Sequence, residues 1–369
     1  MGLSLFSSVY TGKKVLITGN TGFKGSWLTA WLLKLNAKVY GISIDVPSSP
    51  SLFEVLKLED RITHMYADIN DAAKMKDLIK KIQPDFLFHL AAQPIVSKSY
   101  FDPLETFQTN VIGTANILEA LRQSNNTCTA IFISSDKCYE NVEWKWGYRE
   151  IDHLGGKDPY SASKGACEII IHSFYHSFFK NQESNVRIVS VRAGNVIGGG
   201  DWAEDRLVPD CVREWSKGNT VIIRNPLAIR PWQHVLEPLS GYLRAGEILY
   251  QNNEINGEPF NFGPASDQIE SVGGLLEQLS KYWSGATNKF IINTAKKFNE
   301  SGFLKLNCDK SLSVLNWKPV LNLSQTNQLT MDWYNAYYND ENKDMYDVTN
   351  GQLESYIYNA KEKRLSWIN

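Results

Sequence analysis

Two short groups of reactive side chains stand out in the sequence. The first is SSDK (134–137), which places an acid and an amine side by side directly after the apolar run AIFISS. The second is YSASK, which places Tyr160 and Lys164 four residues apart. On a helix these two side chains share a face, and a lysine beside a phenol, with a second positive charge nearby, favours the phenolate, which is a usable base. An exposed charged turn is the alternative for Asp136 and Lys137.

A glycine-rich loop near the start of the chain provides a place for a dinucleotide. The string TGNTGFKG (18–25) follows the first apolar run and opens the first helical pattern. Glycine lets the backbone approach a pyrophosphate closely, and the N–H groups of a helix N-terminus point at its oxygens. A plain turn is the alternative. We predict that the pyrophosphate lies on Gly19, Asn20, Thr21, Gly22, Phe23, Lys24 and Gly25.

Residues after the next strands are predicted to complete the cofactor site. Asp45 follows the second apolar run, where a carboxylate accepts hydrogen bonds from an adenosine ribose and repels a 2′-phosphate. This favours NAD over NADP, and an ordinary loop aspartate is the alternative. The other predicted cofactor residues are Asp68 and Ile69 beside the adenine, Leu90, Ala91, Ala92 and Gln93 at the end of the fourth strand, and Asn110.

The first half of the chain alternates apolar runs with amphipathic stretches. Such alternation predicts a parallel sheet covered on both faces by helices, with right-handed crossovers. The fold class is therefore α/β, a Rossmann-type doubly wound parallel sheet. The predicted strands are 14–19, 38–43, 64–68, 86–92, 130–135 and 187–192, and the predicted helices are 25–35, 71–82, 104–123 and 162–180.

The pattern changes after about residue 196 and predicts a smaller α/β substrate lobe that is interleaved with the first domain. The helical period of the segment 227–257 predicts a return to the first domain. We assign residues 11–196 and about 227–257 to the NAD-binding domain, 197–226 and 258–340 to the nucleotide-sugar lobe, and 341–369 to a docked or disordered tail.

Composition excludes several classes of partner. The 369 residues carry a net charge of −2, so no overall field recruits nucleic acid or an anionic membrane. No secretory signal is visible, and no apolar run reaches the length of about 18 residues that a membrane-spanning helix needs. The five cysteines are odd in number and lack CxxC spacing, which fits a reducing cytoplasm. His172 and His176 have no apparent third ligand, so we predict no metal site.

Long strings beyond these motifs resemble one family. From about residue 12 to 340 the chain is similar to the extended short-chain dehydrogenase/reductases, and within them to the nucleotide-sugar 4,6-dehydratases. Many relatives have His where this chain has Asn20, and Thr where it has Ser135. The strings that carry the resemblance are TGFKGSWL, PSLFE, FHLAAQP, SSDKCYEN, WGYRE, GGKDPYSASK, RAGNVIGGGDWAEDRLVPD and IRNPLAIRPWQHVLEPLSGYL.

The resemblance implies a lyase that keeps NAD bound and removes water from a nucleotide sugar. Ser135 and Tyr160 would act at the sugar 4-hydroxyl, with Lys164 holding Tyr160 and the nicotinamide ribose. Tyr160 would take the hydroxyl proton while NAD takes the hydride from C4. Lys137 would then remove the C5 proton and Asp136 would protonate the departing C6 hydroxyl, after which the hydride returns to C6.

The resemblance also implies CDP-glucose or a similar nucleotide sugar as the substrate. Family members that act on CDP-glucose usually carry Asp-Lys where those that act on dTDP-glucose carry Asp-Glu. An amide and several guanidinium groups suit a diphosphate, although a surface ion pair is the alternative for each arginine. Helices 104–123 and 160–180 pair across a two-fold axis in this family, so a homodimer or a dimer of dimers is expected. The predicted substrate-binding residues are Asn195, Arg206, Arg224 and Arg230.

Three other functions stay open. One is a dehydratase for another nucleotide sugar, such as UDP-N-acetylglucosamine, although the Tyr-Lys context of those enzymes differs from GGKDPYSASK. Another is an epimerase, which the pair Asp136 and Lys137 disfavours because epimerases of this family lack it. The last is a non-catalytic NAD-binding regulator, which the intact set Ser135, Tyr160 and Lys164 disfavours.

Overall fold

The computed structural model describes residues 4–181, 184–284, 290–292 and 302–368. The strands in these ranges are β1 (Lys14–Thr18), β2 (Lys38–Ser43), β3 (Thr63–Tyr66), β4 (Phe86–His89), β5 (Cys128–Ile133), β6 (Val186–Ala193), β7 (Val196–Ile197), β8 (Val221–Ile223), β9 (Ile229–Arg230), β10 (Gln233–His234), β11 (Pro259–Phe262), β12 (Glu270–Ser271) and β13 (Phe290–Ile292). The α-helices are α1 (Phe23–Lys34), α2 (Leu52–Val55), α3 (Ala72–Ile82), α4 (Val96–Phe101), α5 (Pro103–Phe107), α6 (Gly113–Arg122), α7 (Pro159–Phe174), α8 (Leu207–Trp215), α9 (Leu236–Gln251), α10 (Val272–Ser280), α11 (Asp309–Leu315), α12 (Leu323–Asn339) and α13 (Met345–Glu362). The π-helical turns Gln108–Ile112 and Tyr175–Phe179 follow α5 and α7.

Seven of the described strands form one parallel sheet in the order β11-β6-β5-β4-β1-β2-β3. The chain winds from β1 outward to β3 and then crosses to β4 on the other side of β1. The predicted doubly wound sheet is therefore confirmed. The order changes direction between β1 and β4, and ligands of such sheets bind at the carboxyl ends of the strands at that point.

The six predicted strands and four predicted helices all form, and most of their apolar side chains are buried against the two faces of the sheet, although the edge strand β3 is partly exposed. Strands β1 and β4 are almost wholly buried, as expected of central parallel strands. One apolar cluster covers one face and runs on into the C-terminal part of the chain, while a smaller cluster lies under α3 and α6 on the other face.

The domain boundaries predicted from the sequence need correction in one place. Strand β11 falls inside the segment 258–340 that was assigned to the lobe, yet it pairs with β6 as the edge strand of the large sheet. Its run PFNF is short, and its partner lies about 70 residues away in the chain, so the local pattern does not reveal the pairing. The predicted lobe also includes residues 285–289 and 293–301, which lie outside the described residues.

The segment 341–369 is docked rather than disordered as far as residue 368. Helix α13 packs on α12 and α1. The ring of Trp367, which follows α13, stacks on the ring of Phe6, with ring centroids 4.9 Å apart. Trp31 on α1 and Tyr356 on α13 make an edge-to-face contact, with ring centroids 5.7 Å apart. Burial of these large aromatic surfaces holds the two ends of the chain together. Among the described residues, no helix is long and apolar enough to cross a membrane.

Candidate active site

A cleft of about 2330 Å³ opens at the carboxyl ends of the strands, between the large sheet and the lobe segments. Its walls combine the glycine loop after β1, the turns after β4 and β5, the start of α7 and the segment 193–213. Because these pieces come from the switch point of the sheet, residues that are far apart in sequence face one space. The predicted reactive groups Ser135, Asp136, Lys137, Tyr160 and Lys164 all line it.

The glycine loop fits a pyrophosphate. Gly19 has φ +75°, and a Cβ there would lie 2.7 Å from the backbone nitrogen of Ala91. A Cβ on Gly25 would lie 2.1 Å from the carbonyl oxygen of Gly19, so α1 packs directly on the loop. Among the described residues no side chain caps the N-terminus of α1, and its first turn carries no acid, so its N–H groups are left for an anion.

Most of the other predicted cofactor residues also line the cleft. Thr21 is held at the loop by a hydrogen bond from its hydroxyl to the carbonyl oxygen of Asp45, at 2.7 Å. Burial lowers the pKa of Lys24 to about 8, with the nearby Arg206 as the next cause. The predicted cofactor residues that face the cleft are Gly19, Thr21, Gly22, Phe23, Lys24, Gly25, Asp45, Asp68, Ile69, Leu90, Ala91, Ala92 and Gln93.

Asn20 and Asn110 do not line the cleft, which departs from the prediction. Asn20 is fully buried beneath the loop, where its Oδ1 accepts a hydrogen bond from Ser43 at 2.9 Å. Asn110 is buried behind β4, where its Oδ1 accepts from the backbone N–H of Gln93 at 2.8 Å and its Nδ2 donates to Ser163 at 2.8 Å. Both amides therefore hold other parts of the site in place.

Helix α7 delivers Tyr160 and Lys164 to the cleft. It begins at Pro159, and the side chain of Asp158 caps it by accepting the backbone N–H of Ser161 at 2.9 Å. Both predicted side chains are buried. The Nζ atom of Lys164 lies 5.9 Å from the centre of the Tyr160 ring, so the two groups share a face as the spacing predicts.

Burial shifts the pKa of Tyr160 more than the charges of the neighbouring side chains do. It raises the pKa of Tyr160 to about 12, although a hydrogen bond with Ser135 and the charge of Arg206 lower it. Burial also lowers the pKa of Lys164. The phenolate was expected from Lys164 together with a second positive charge nearby, and the protein chain alone leaves the pKa of Tyr160 well above neutral. A further positive charge in the cleft is needed to make Tyr160 a base near neutral pH.

The turn after β5 presents an acid with one oxygen unpaired. Ser135 caps this turn by accepting the backbone N–H of Lys137 at 3.2 Å, and its hydroxyl donates to Oδ1 of Asp136 at 2.9 Å. Asp136 is only 3% exposed, and its Oδ2 has no hydrogen-bond partner within the described ranges. A buried, unpaired carboxyl oxygen is costly, and a substrate hydroxyl would satisfy it.

The four predicted substrate-binding residues all line the cleft. Arg206 makes an ion pair with the buried Asp201 at 2.9 Å, and Arg224 lies 3.9 Å from Asp205. Arg230 is nearly buried on β9 and donates to the carbonyl oxygen of its neighbour Ile229 at 2.9 Å. Asn195 follows β6 and also borders the cleft. Three guanidinium groups therefore line the same cleft as the reactive side chains.

The comparison with known protein families agrees with this geometry. The family model described as GDP-mannose 4,6 dehydratase matches residues 16–330. The chain belongs to this family.

Known proteins match along nearly the whole chain. The CDP-glucose 4,6-dehydratase of Salmonella typhimurium is 43% identical over 351 residues, which cover 94% of this chain and 97% of that protein. Two solved structures share the fold. The UDP-glucose 4-epimerase of Thermotoga maritima with UDP-glucose has a TM-score of 0.76 at 22% identity and covers 88% of this chain and 99% of its own. The dTDP-glucose 4,6-dehydratase of Bacillus anthracis with NAD has a TM-score of 0.72 at 20% identity and covers 92% and 100%.

Three residues that support the site were not predicted from the sequence. Asp201 lies in the string GGGDW and holds Arg206, and Glu168 continues the helix face of Tyr160 and Lys164 by one further turn. The spacing of Glu168 was a usable signal, because residues four apart on a helix share a face. Arg192, the buried partner of Glu168, lies inside β6, and nothing local in the sequence marks it.

Proposed function

We propose that this member of the GDP-mannose 4,6 dehydratase family converts CDP-glucose to CDP-4-keto-6-deoxyglucose by removing water. The observation that carries the proposal is that the Asp136–Lys137 turn and the Tyr160–Lys164 face of α7 line one cleft. An oxidation alone needs only the second pair, whereas an elimination also needs an acid and a base for the two protons. The 43% identity to a CDP-glucose 4,6-dehydratase supports CDP as the nucleotide.

The residues of α7 would carry out the proton transfer of the oxidation. Tyr160 removes the proton of the sugar 4-hydroxyl, and Ser135 holds that oxygen through its hydroxyl. The glycine loop and the first turn of α1 would hold the pyrophosphate of NAD, with Asp45 at the ribose. Bound NAD supplies the acceptor for the hydride of C4 and the donor that returns it to C6. Its positively charged ring would also lower the pKa of Tyr160 and so favour loss of the phenol proton.

The turn after β5 would carry out the elimination. The new ketone at C4 makes the neighbouring C5 proton acidic, and Lys137 removes it. Asp136 gives a proton to the C6 oxygen through the Oδ2 atom that has no partner among the described residues, and water leaves. Lys137 returns its proton to C5 as C6 is reduced, and Asp136 regains a proton before the next turnover. Arg206, Arg224, Arg230 and the amide of Asn195 would hold the diphosphate while both steps proceed.

We also propose that the enzyme is a cytoplasmic homodimer. All five cysteines are free thiols, which fits a reducing compartment. Helices α5 and α7 expose apolar side chains, including Leu104 at 80% and Ile169 at 59%. An exposed apolar face of this kind is typical of a surface that a second subunit covers.

Product analysis tests the proposed reaction directly. The purified protein is incubated separately with CDP-, UDP-, GDP- and dTDP-glucose, without added NAD, and the alkaline absorbance of a 4-keto-6-deoxy sugar is recorded. We expect product from CDP-glucose, and we expect deuterium placed at C4 to appear at C6 of the same molecule. Label found in the solvent would contradict the internal transfer, and a sugar changed only at C4 would favour the epimerase.

The variant Lys137→Met tests whether oxidation at C4 and elimination of water depend on different residues. It removes the amine but leaves Tyr160 and Lys164 in place, so we expect C4 oxidation to persist and water loss to fall by about 100-fold or more. The measurement is the absorbance of reduced nicotinamide in a single turnover, followed by quantification of the product. Normal dehydration by this variant would remove Lys137 from its assigned role.

A further inference from the structure

A buried chain of polar contacts joins helix α7 to the turn after β5. Glu168 lies one turn beyond Lys164, and its carboxylate accepts two hydrogen bonds from the guanidinium group of Arg192, each 2.9 Å long. Both side chains are only 3% exposed, so this ion pair is well shielded from water. Glu168 also accepts a hydrogen bond from the hydroxyl of Ser134, which directly precedes Ser135.

Tyr139 extends this chain of hydrogen bonds from Arg192 to strand β11. Its hydroxyl accepts a hydrogen bond from Nη1 of Arg192 at 2.7 Å and donates one to Oδ1 of Asn261, on β11, at 2.8 Å. Tyr139 directly follows the turn Asp136–Cys138 and is 1% exposed. Burial raises the pKa of Tyr139, so its hydroxyl keeps its proton and can donate and accept at the same time. A buried hydroxyl that is satisfied on both sides is held in one orientation.

The ring of Tyr139 and the nearby backbone are held by other contacts. The ring stacks on Tyr148 with centroids 5.2 Å apart and planes inclined by 21°. The backbone is fixed on both sides, because Gly155 donates its N–H to the carbonyl oxygen of Cys138 at 2.8 Å and Glu140 donates to that of His153 at 2.9 Å. Removal of the hydroxyl therefore leaves the segment folded and removes only the link to Arg192 and Asn261.

We propose that Tyr139 is a positioning residue for the elimination step, because its hydroxyl fixes the Asp136–Lys137 turn relative to helix α7. The inference rests on the proposed function. Tyr160 is carried by α7 itself, and Ser135 is tied to α7 through Ser134 and Glu168. Oxidation at C4 therefore does not require the link through Tyr139. Elimination does, since the acid and the base must reach C5 and C6 of a sugar that α7 has already oriented.

The test compares Tyr139→Phe with Tyr148→Phe in single turnovers of CDP-glucose. Tyr148 belongs to the same stacked pair, but its hydroxyl bonds to Asn141 and Val142 and not to the chain through Arg192. For Tyr139→Phe we expect reduced nicotinamide to accumulate, because water loss slows about tenfold or more while C4 oxidation changes by less than about threefold. For Tyr148→Phe we expect the ratio of the two rates to match the wild type.

Arg192→Lys provides an independent variant. It keeps a cation beside Glu168 but lacks the fork that reaches Tyr139 at the same time, so the same split between the two steps is expected. In the double variant the effects should not add, since both substitutions break one link.

Equal slowing of both steps in Tyr139→Phe, with a lower melting temperature, would show a merely structural tyrosine and overturn the inference. Unchanged rates would overturn it as well. If the wild-type protein makes no 4-keto-6-deoxy product, the proposed function fails and this inference fails with it. Wild-type turnover together with a normal Tyr139→Phe variant would reject the inference alone.

Discussion

Tyr160 lies among charges of both signs, and its pKa sets the pH range in which it can act as a base. The positive charge of Arg206 lowers that pKa, so Arg206→Gln is expected to raise it. A base works only when it has lost its proton, and therefore the rate of C4 oxidation rises with pH as Tyr160 ionises. In the variant this rise should lie at higher pH. The measurement is the pH profile of reduced-nicotinamide formation in single turnovers at saturating CDP-glucose.

Arg224→Gln is the matched control for that prediction. Arg224 also lines the cleft, but its nearest described acid is Asp205, and it is not among the main groups that shift the pKa of Tyr160. We expect its loss to raise KM through weaker diphosphate binding, while the pH profile keeps its position. A profile of Arg206→Gln that coincides with the wild type would contradict the placement of Arg206 beside Tyr160.

For single residues, the sequence predicts which side chains are reactive better than it predicts their burial and their hydrogen-bond partners. Tyr160 and Lys164 are predictable because helix geometry alone puts them on one face. The burial that raises the pKa of Tyr160 depends on chain segments far away in sequence, so its size cannot be read from the motif. The same reason explains Asn20 and Asn110, which occupy the expected loop and helix but direct their amides into the interior.

The junction of β1 and α1 depends on the absence of a side chain at Gly25. A Cβ there would lie 2.1 Å from the carbonyl oxygen of Gly19, far inside contact distance, and the neighbour is backbone that cannot move aside. Gly25→Ala is therefore expected to displace the loop from the first turn of α1 and to lower NAD affinity about tenfold or more, which corresponds to about 1.4 kcal/mol. The measurement is the amount of NAD that remains bound to the purified protein.

Gly351→Ala is the control for the loop substitution. Gly351 lies in α13, and a Cβ there would meet no neighbouring atom of the described residues within 4 Å. Alanine is the better helix former, so this variant should keep its NAD and unfold at the same temperature or slightly higher. Full NAD content in Gly25→Ala would contradict the close packing of loop and helix.

The elements themselves were predictable wherever the local pattern was long. The runs that became β1, β2 and β6 are five to eight residues long and mostly apolar, and each lies next to a helix in the chain. Strand β11 was placed in the wrong unit because four residues of mixed polarity do not indicate which sheet they join. Its pairing with β6 is a property of the folded molecule.

The proposed dimer is tested at the scale of the whole molecule. Ile169 is 59% exposed on α7, and a charge there would be desolvated in a dimer but solvated in a monomer. We expect Ile169→Glu to shift the protein from dimer to monomer in sedimentation velocity. Leu312→Glu, on the exposed side of α11, is the control and should leave the mass unchanged. A monomeric wild-type protein would contradict the proposal.

Glu237 lies where the C-terminal segment docks, and we expect it to make the stability of the protein depend on pH. This carboxyl on α9 accepts hydrogen bonds from the backbone N–H groups of Val320 and Leu321 and from the hydroxyl of Tyr356 on α13. Burial nevertheless raises its pKa from 4.5 to about 7. The folded state then holds a proton that the unfolded state has lost, so this stabilising contribution is complete below about pH 4.5 and disappears as the pH rises through 7. Glu237→Gln cannot lose a proton, and its melting temperature should fall less than that of the wild type between about pH 5 and 8, by about 2 °C or more.

Tyr356→Phe should make the melting temperature depend on pH more strongly than in the wild type, whereas Glu237→Gln should make it depend less. The Tyr356 hydroxyl lowers the pKa of Glu237, so its removal raises that pKa and extends the loss of stability to higher pH. Melting temperatures of the three proteins, measured by calorimetry across this range, therefore form an ordered series of slopes. If the wild type and Glu237→Gln differ by the same amount at every pH, Glu237 does not titrate in this range. The contacts between α9, the segment 320–321 and α13 would then hold a carboxylate at every pH measured, and the docked segment would contribute no pH dependence through this group.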